Sequence, residues 1–235
     1  MNDSLRVARW TGVAYLALAL CGMAGFLILR PQLHDADDAA GTLANLQSSP
    51  ALAHLGVGLE LAVVAAQALA ALGFYALFRH ERPVAGFAVA IFGMANASAI
   101  LASAAMLATA AQVAGDPSLA GAAAVGVVAL LYAVADSFWL MGGLFFGLWL
   151  IPMGSFVLST GRMPRALGWA LVAGGAGYVI STALQVVLPS TPVWLIDGLP
   201  LLATVGELWM VAYLLIRGIR PARAATPADP APARA

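Results

Sequence analysis

Phe145-Phe146-Gly147-Leu148-Trp149-Leu150, Gly161-Arg162-Met163-Pro164-Arg165-Ala166-Leu167-Gly168 and Gly174-Gly175-Ala176-Gly177-Tyr178 are the three pieces of one stretch, 145–178, whose reading decides the fold. The first closes an apolar run, the second is a short basic turn, and the third belongs to a Gly-rich apolar run. Together they read as two membrane helices folded back on each other. Gly143 and Gly147 form a Gly-x-x-x-Gly, and Ala170, Gly174, Gly177 and Ser181 give the second helix a small face. Small residues let helix backbones approach closely in lipid, so these faces predict tight packing of the two helices. They are also the candidate faces for a homo-oligomer. A phosphate-binding role is disfavoured, because the glycines lie inside apolar runs and not in a strand-to-helix turn.

Composition agrees with a membrane setting. The chain is 62% apolar and 9% charged, with a mean hydropathy of +0.91. A globular average is about 45–50% apolar and about 25% charged. The fold class is therefore an all-α, polytopic membrane helix bundle whose main partner is the lipid bilayer. Formal net charge is zero, which argues against nucleic acid. All 11 basic residues are Arg and Ala dominates the apolar set, which reads as a high-GC bacterial coding bias; the expected location is a bacterial cytoplasmic (inner) membrane. Cys21 is the single cysteine, so neither an intramolecular disulfide nor a Cys-based metal site is available. His34, His54 and His80 lack metal-ligand spacing. The expectation is no metal and no cofactor.

Working outward from the opening stretch, spans are predicted near 10–29, 52–78, 84–113, 137–159, 166–188 and 199–216, each long enough for the ~20 residues a crossing requires. The first is read as a retained helix, since Leu27-Ile28-Leu29-Arg30-Pro31 is too bulky for a signal cleavage site. Asp37 or Asp38 should cap a short amphipathic helix over 38–47 lying at the membrane surface. The apolar run from Leu119 to Ser159 is too long for one straight crossing, so 119–134 is predicted to be a separate lead-in helix. Pro152 should kink the span that follows. The tail 221–235 is Pro/Ala-rich and is expected to be disordered. With six spans, ten of the 11 arginines fall on one side and Arg30 alone on the other. The positive-inside rule then puts both termini in the cytoplasm.

Arg9-Trp10-Thr11-Gly12-Val13-Ala14-Tyr15-Leu16, Asp38-Ala39-Ala40-Gly41-Thr42, Glu60 with Phe74-Tyr75-Ala76-Leu77-Phe78, the pieces of the opening stretch, and Glu207 occur in an order and spacing that resembles the bacterial membrane family catalogued as domain of unknown function 4386. The resemblance covers roughly 6–218. It implies a multi-span membrane domain and no particular activity.

The residues that need explaining are Glu60 and Glu207, because a carboxylate at mid-helix costs ~2.5–3.5 kcal/mol on insertion scales. Counted from the starts of spans two and six, both lie ~10–14 Å below the outer surface, so the two could share a site. Glu60 and Gln67 are seven apart and fall on one face of span two. Asn96 and Ser103 do the same in span three. Tyr178, Ser181 and Gln185 line a face of span five, and Thr204 precedes Glu207 by one turn. No Arg or Lys is assigned to any span, which leaves His54 and Asp136 as the nearest ionisable helpers. The set predicts a polar pocket in the outer half of the bundle, with Glu60, Glu207, His54, Asp136, Gln67, Asn96, Tyr178 and Gln185 binding a small molecule or a proton. The alternative is a non-catalytic structural or accessory subunit, its glutamates protonated and hydrogen-bonded as struts. Catalysis is not favoured: Ser155 and Ser159 have no adjacent His, and no catalytic residue is assigned.

Overall fold

The computed structural model describes residues 3–220, and the expected disordered tail lies outside them. Six helical stretches are long and apolar enough to cross a membrane: Asp3–Leu33, Pro50–Phe78, Pro83–Gly115, Gly121–Thr160, Arg165–Val187 and Val193–Ile216. The first consists of α1 (Asp3–Met23), a π-helical turn (Ala24–Leu29) and α2 (Arg30–Leu33). A short α3 (Ala39–Ser48) leads into α4 (Pro50–Phe78), followed by α5 (Pro83–Gly115), α6 (Ala124–Thr160) and α7 (Arg165–Val187). The last crossing combines α8 (Val193–Gly198) with α9 (Leu201–Ile216). Prolines set several of these starts. Pro50 and Pro83 occupy first-turn positions, where the missing N–H is no loss. Gly161 ends α6 in the left-handed region at φ 63°, which turns the chain into the Arg162–Pro164 loop.

The spans form a closed ring in chain order. α1 packs on α4, α4 on α5, α5 on α6, α6 on α7, α7 on α9, and α9 returns to α1. Apolar side chains such as Leu27, Ile28, Leu69, Phe87, Leu130 and Val187 remain exposed around the outside. Such a continuous apolar exterior suits lipid and not water. The protein is a multi-pass membrane protein. Trp194 is exposed at one end, as expected for an interface residue, and Trp10 and Trp169 are exposed at the other. Trp149, by contrast, is fully buried.

Four expectations need correction. Residues 124–160 form one continuous helix through Pro152, so no separate lead-in helix precedes span four. Its additional turns stay helical because Val128, Tyr132 and Ala135 are buried against neighbours. Span one does not stop at Leu29. The π turn, in which Arg30 N–H bonds Gly25 O, carries the helix past Pro31 to Leu33. α3 is not simply laid on a membrane surface: its Thr42 and Leu46 are buried, and it packs on α5 and α6 across the end of the bundle. Asp38 is its cap, accepting from Gly41 N–H at 2.8 Å. The small residues of α7 are also divided differently. Gly174 faces Ala203 of α9 and Gly177 faces Leu199 just before it, whereas Gly168 and Gly175 carry the contact with α6. A Cβ on Gly147 would lie 2.6 Å from the Gly175 carbonyl oxygen, and one on Gly154 would lie 2.6 Å from that of Gly168. These faces are therefore occupied within the chain.

Candidate functional site

The ring axis is filled in layers. At the Arg-rich end, Phe78 and Phe156 stack at 3.7 Å, with Phe74, Trp149 and Tyr15 edge-to-face above them. These buried rings form a plug. Across the same end, Arg162 pairs with Glu81 and donates from Nε to the Arg220 carbonyl, so it ties the α4–α5 turn to the segment that follows α9.

Above the plug is a chamber of about 320 Å³. Every span contributes to its wall: Tyr15 from α1, Gln67 from α4, Asn96 from α5, Trp139 and Phe146 from α6, Tyr178 from α7 and Glu207 from α9. Tyr15 donates its hydroxyl hydrogen to Glu207 Oε1 at 2.5 Å, joining the first span to the last. Gln67 is wholly buried, and neither its amide nitrogen nor its oxygen has a hydrogen-bond partner among the described residues. Phe146 and Tyr178 meet edge-to-face at 5.2 Å.

Trp139 separates this chamber from a second layer. It lines the chamber and also a smaller cavity of about 30 Å³ that holds Glu60 and Arg30. Its indole N–H donates to Glu60 Oε1 at 2.9 Å, and the Ser103 hydroxyl donates to the same oxygen at 3.3 Å. Arg30 Nη1 lies 3.9 Å from Glu60 Oε1, while Nη2 forms an ion pair with Asp136. Phe26 and Tyr132 flank the guanidinium, their ring centres 5.5 and 5.8 Å away. His34 stacks on Tyr132 and approaches Asp136 at 3.7 Å. Burial holds the His34 pKa below its ordinary value; the nearby Asp136 carboxylate opposes this but does not win.

The helical spacing explains why there are two layers. Residues seven apart on one face are separated by ~10.5 Å along the axis. On α4, Glu60 lies in the upper layer and Gln67 in the lower. α5 runs the other way and pairs Ser103 with Glu60, leaving Asn96 for the chamber. The two glutamates therefore do not share a site. Glu207 is 14 residues into a last crossing that begins at Val193, six residues earlier than the start expected at Leu199, and this carries it to the deeper layer.

Among the predicted site residues, Glu207, Gln67, Asn96 and Tyr178 meet in the chamber, and Glu60 and Asp136 meet in the layer above. His54 does not belong: it is exposed, and its ring bonds the Pro50 carbonyl at 2.7 Å. Gln185 lies outside both cavities, against Ser181 of its own helix. Sequence reasoning missed Arg30, Tyr15, Trp139 and Phe146. Tyr15 and Trp139 carried a usable signal, as amphipathic aromatics within apolar runs whose polar atoms require a buried partner.

A sequence model described as "Domain of unknown function (DUF4386)" matches residues 10–218. The chain belongs to that family. No curated protein and no solved structure matches it. The segments of this DUF4386 chain that carried the resemblance have definite places in the structure. Thr11 packs where a Cβ on Gly73 of α4 would clash, Gly12 packs against Leu215, and Tyr15 holds Glu207. Asp38 and Gly41 make the cap of α3, and Thr42 Oγ1 donates to the Asp35 carbonyl and accepts from its N–H.

Proposed function

We propose that this DUF4386 protein binds a small, largely apolar molecule in the axial chamber. Both termini would be cytoplasmic, and the membrane would be the inner membrane of a bacterium. The arginine distribution and the all-Arg, Ala-rich composition support this placement. The chamber has the dimensions of a ligand pocket, which typically encloses about 300–1,000 Å³ and is mostly apolar with a few convergent polar groups.

The observation that carries the reading is Gln67. A buried donor or acceptor without a partner costs about 1–3 kcal/mol, and Gln67, a residue of the chamber wall, carries one of each. A ligand with a hydrogen-bonding group would remove that cost. The aromatic plug would close the chamber toward the Arg-rich end.

The accessory-subunit reading has its own support, since the Tyr15–Glu207 and Trp139–Glu60 bonds each fasten two helices. A thermal-stability screen of the detergent-purified protein against small amphiphiles separates the two, using wild type and Gln67→Leu. The binding reading predicts that some compounds raise the wild-type midpoint and leave that of Gln67→Leu unchanged. If no compound acts, and Gln67→Leu differs only in being more stable, the strut reading stands.

A further inference from the structure

The chamber wall has a specific chemistry beyond its shape. Four aromatic rings face it from three spans: Tyr15, Trp139, Phe146 and Tyr178. Glu207 is the one carboxyl in the wall, and no Arg, Lys or His is among the described residues that line it. Arg30 does not serve as its counter-ion, because it lines the smaller cavity beyond Trp139 and is engaged by Asp136 and Glu60. Tyr15 occupies only Oε1 of Glu207, leaving Oε2 without a protein donor among the described residues.

An acidic group inside an aromatic box disfavours an anion, which would meet a carboxylate and no positive charge. It also fails to suit a bare metal ion, which needs several oxygen or nitrogen ligands, and no group of three His, Cys, Asp or Glu is assembled among the described residues. The same box favours an organic cation. The faces of Trp, Tyr and Phe attract an ammonium, most strongly where water is excluded. The apolar remainder of the wall, including Leu18, Val63 and Ile100, would accept the body of such a molecule.

We propose that the chamber takes a lipophilic organic cation, an amine or quaternary ammonium with an apolar body, whose charge sits between Glu207 and the aromatic rings. This rests on the small-molecule reading above and specifies its ligand. Gln67 supplies a further acceptor to any N–H the cation carries.

The test is equilibrium binding to the protein in lipid nanodiscs, with empty nanodiscs subtracted. The two probes are benzyltrimethylammonium and its neutral carbon isostere, neopentylbenzene. They share a shape and differ in charge. The expected result is a preference for the cation of roughly tenfold or more, as a desolvated cation–aromatic contact implies. Glu207→Gln, which keeps an acceptor for Tyr15, and Phe146→Leu should each reduce that preference several-fold. Should Glu207→Gln fail to fold, the wild-type ratio and Phe146→Leu decide. Equal binding of both probes would overturn the cation assignment and leave a small-molecule chamber in place. Binding of neither probe would overturn both readings.

Discussion

Arg30 and Glu60 provide the sharpest energetic test of the upper layer. Their side chains are 11% and 9% exposed, and Nη1 lies 3.9 Å from Oε1. At an effective dielectric near 20, two unit charges at that separation attract by about 4 kcal/mol. Asp136 draws on the same guanidinium, and Trp139 and Ser103 continue to serve Glu60 when Arg30 is removed. The net coupling should therefore be smaller, about 1–3 kcal/mol. Arg30→Met keeps the apolar stem beside Phe26 and Tyr132 but strands the buried Glu60 carboxylate and unpairs the half-exposed Asp136, and should cost about 3 kcal/mol. Glu60→Gln can still accept from the indole and the hydroxyl, and should cost about 1–2 kcal/mol. The assay is a double-mutant cycle on reversible unfolding in mixed micelles. The double variant should be less damaged than the two single losses taken together. If the losses add to within about 0.5 kcal/mol, Glu60 carries no charge that Arg30 feels, and the ion-pair account of this layer is wrong.

Three further outcomes follow from the same geometry. Gly154→Leu should loosen α6 from α7 and cost about 3 kcal/mol or more, because the Gly168 backbone has no room to yield, whereas Gly126→Ala, which opens onto free space, should be neutral or slightly stabilising; thermal midpoints in detergent distinguish them. His34 has a pKa held below 6.5 by burial, so the folded protein resists protonating it: its contribution is present above pH 6.5 and is lost as the pH falls through the lowered folded value, and stability measured against pH should show that acid loss in wild type and not in His34→Gln. In a Cys21→Ala background, Ser118→Cys should react with a membrane-impermeant thiol reagent added outside intact cells, and protection there with labelling only after lysis would reverse the proposed orientation.

The sequence made the spans legible because lipid enforces a simple rule. Every backbone group must be bonded within a helix, so a long apolar run has one solution. The rule works less well at the ends. The start of α6 is as apolar as its middle, and hydropathy alone does not show that Val128 and Tyr132 have partners waiting on α3 and α5. Helical phase correctly grouped Glu60 with Gln67 and Asn96 with Ser103. Phase alone could not match Glu60 with Ser103 in one layer and Gln67 with Asn96 and Glu207 in the other, because that depends on the antiparallel course of α4 and α5 and on how deep α9 begins. His54 was misplaced for a related reason. It lies on the same helix as Glu60 but six residues away, which rotates it off the shared face by about 120°, and Pro50 offers its ring a local carbonyl.

Arg30 shows most clearly why part of the site was hidden. From Gly22, which lines both cavities, Arg30 is eight residues along, and at about 100° per residue an ideal helix would place it about 80° away from Gly22. The π turn over Ala24–Leu29 accommodates one additional residue, as such bulges do, and brings the difference back to about 20°. That single residue returns Arg30 to the face that Tyr15 and Gly22 present to the axis. The same wide turn precedes Pro31, whose ring cannot donate to the ladder, so the irregular hydrogen bonding falls where a regular helix would be strained. Pro31 alone reads as a helix end, and Arg30 before it reads as a flanking charge in water. Inside the ring the two are connected: the bulge lets the helix continue past the proline and turns its last charge inward, giving Glu60 and Asp136 their shared cation while Glu207, one layer deeper, keeps none.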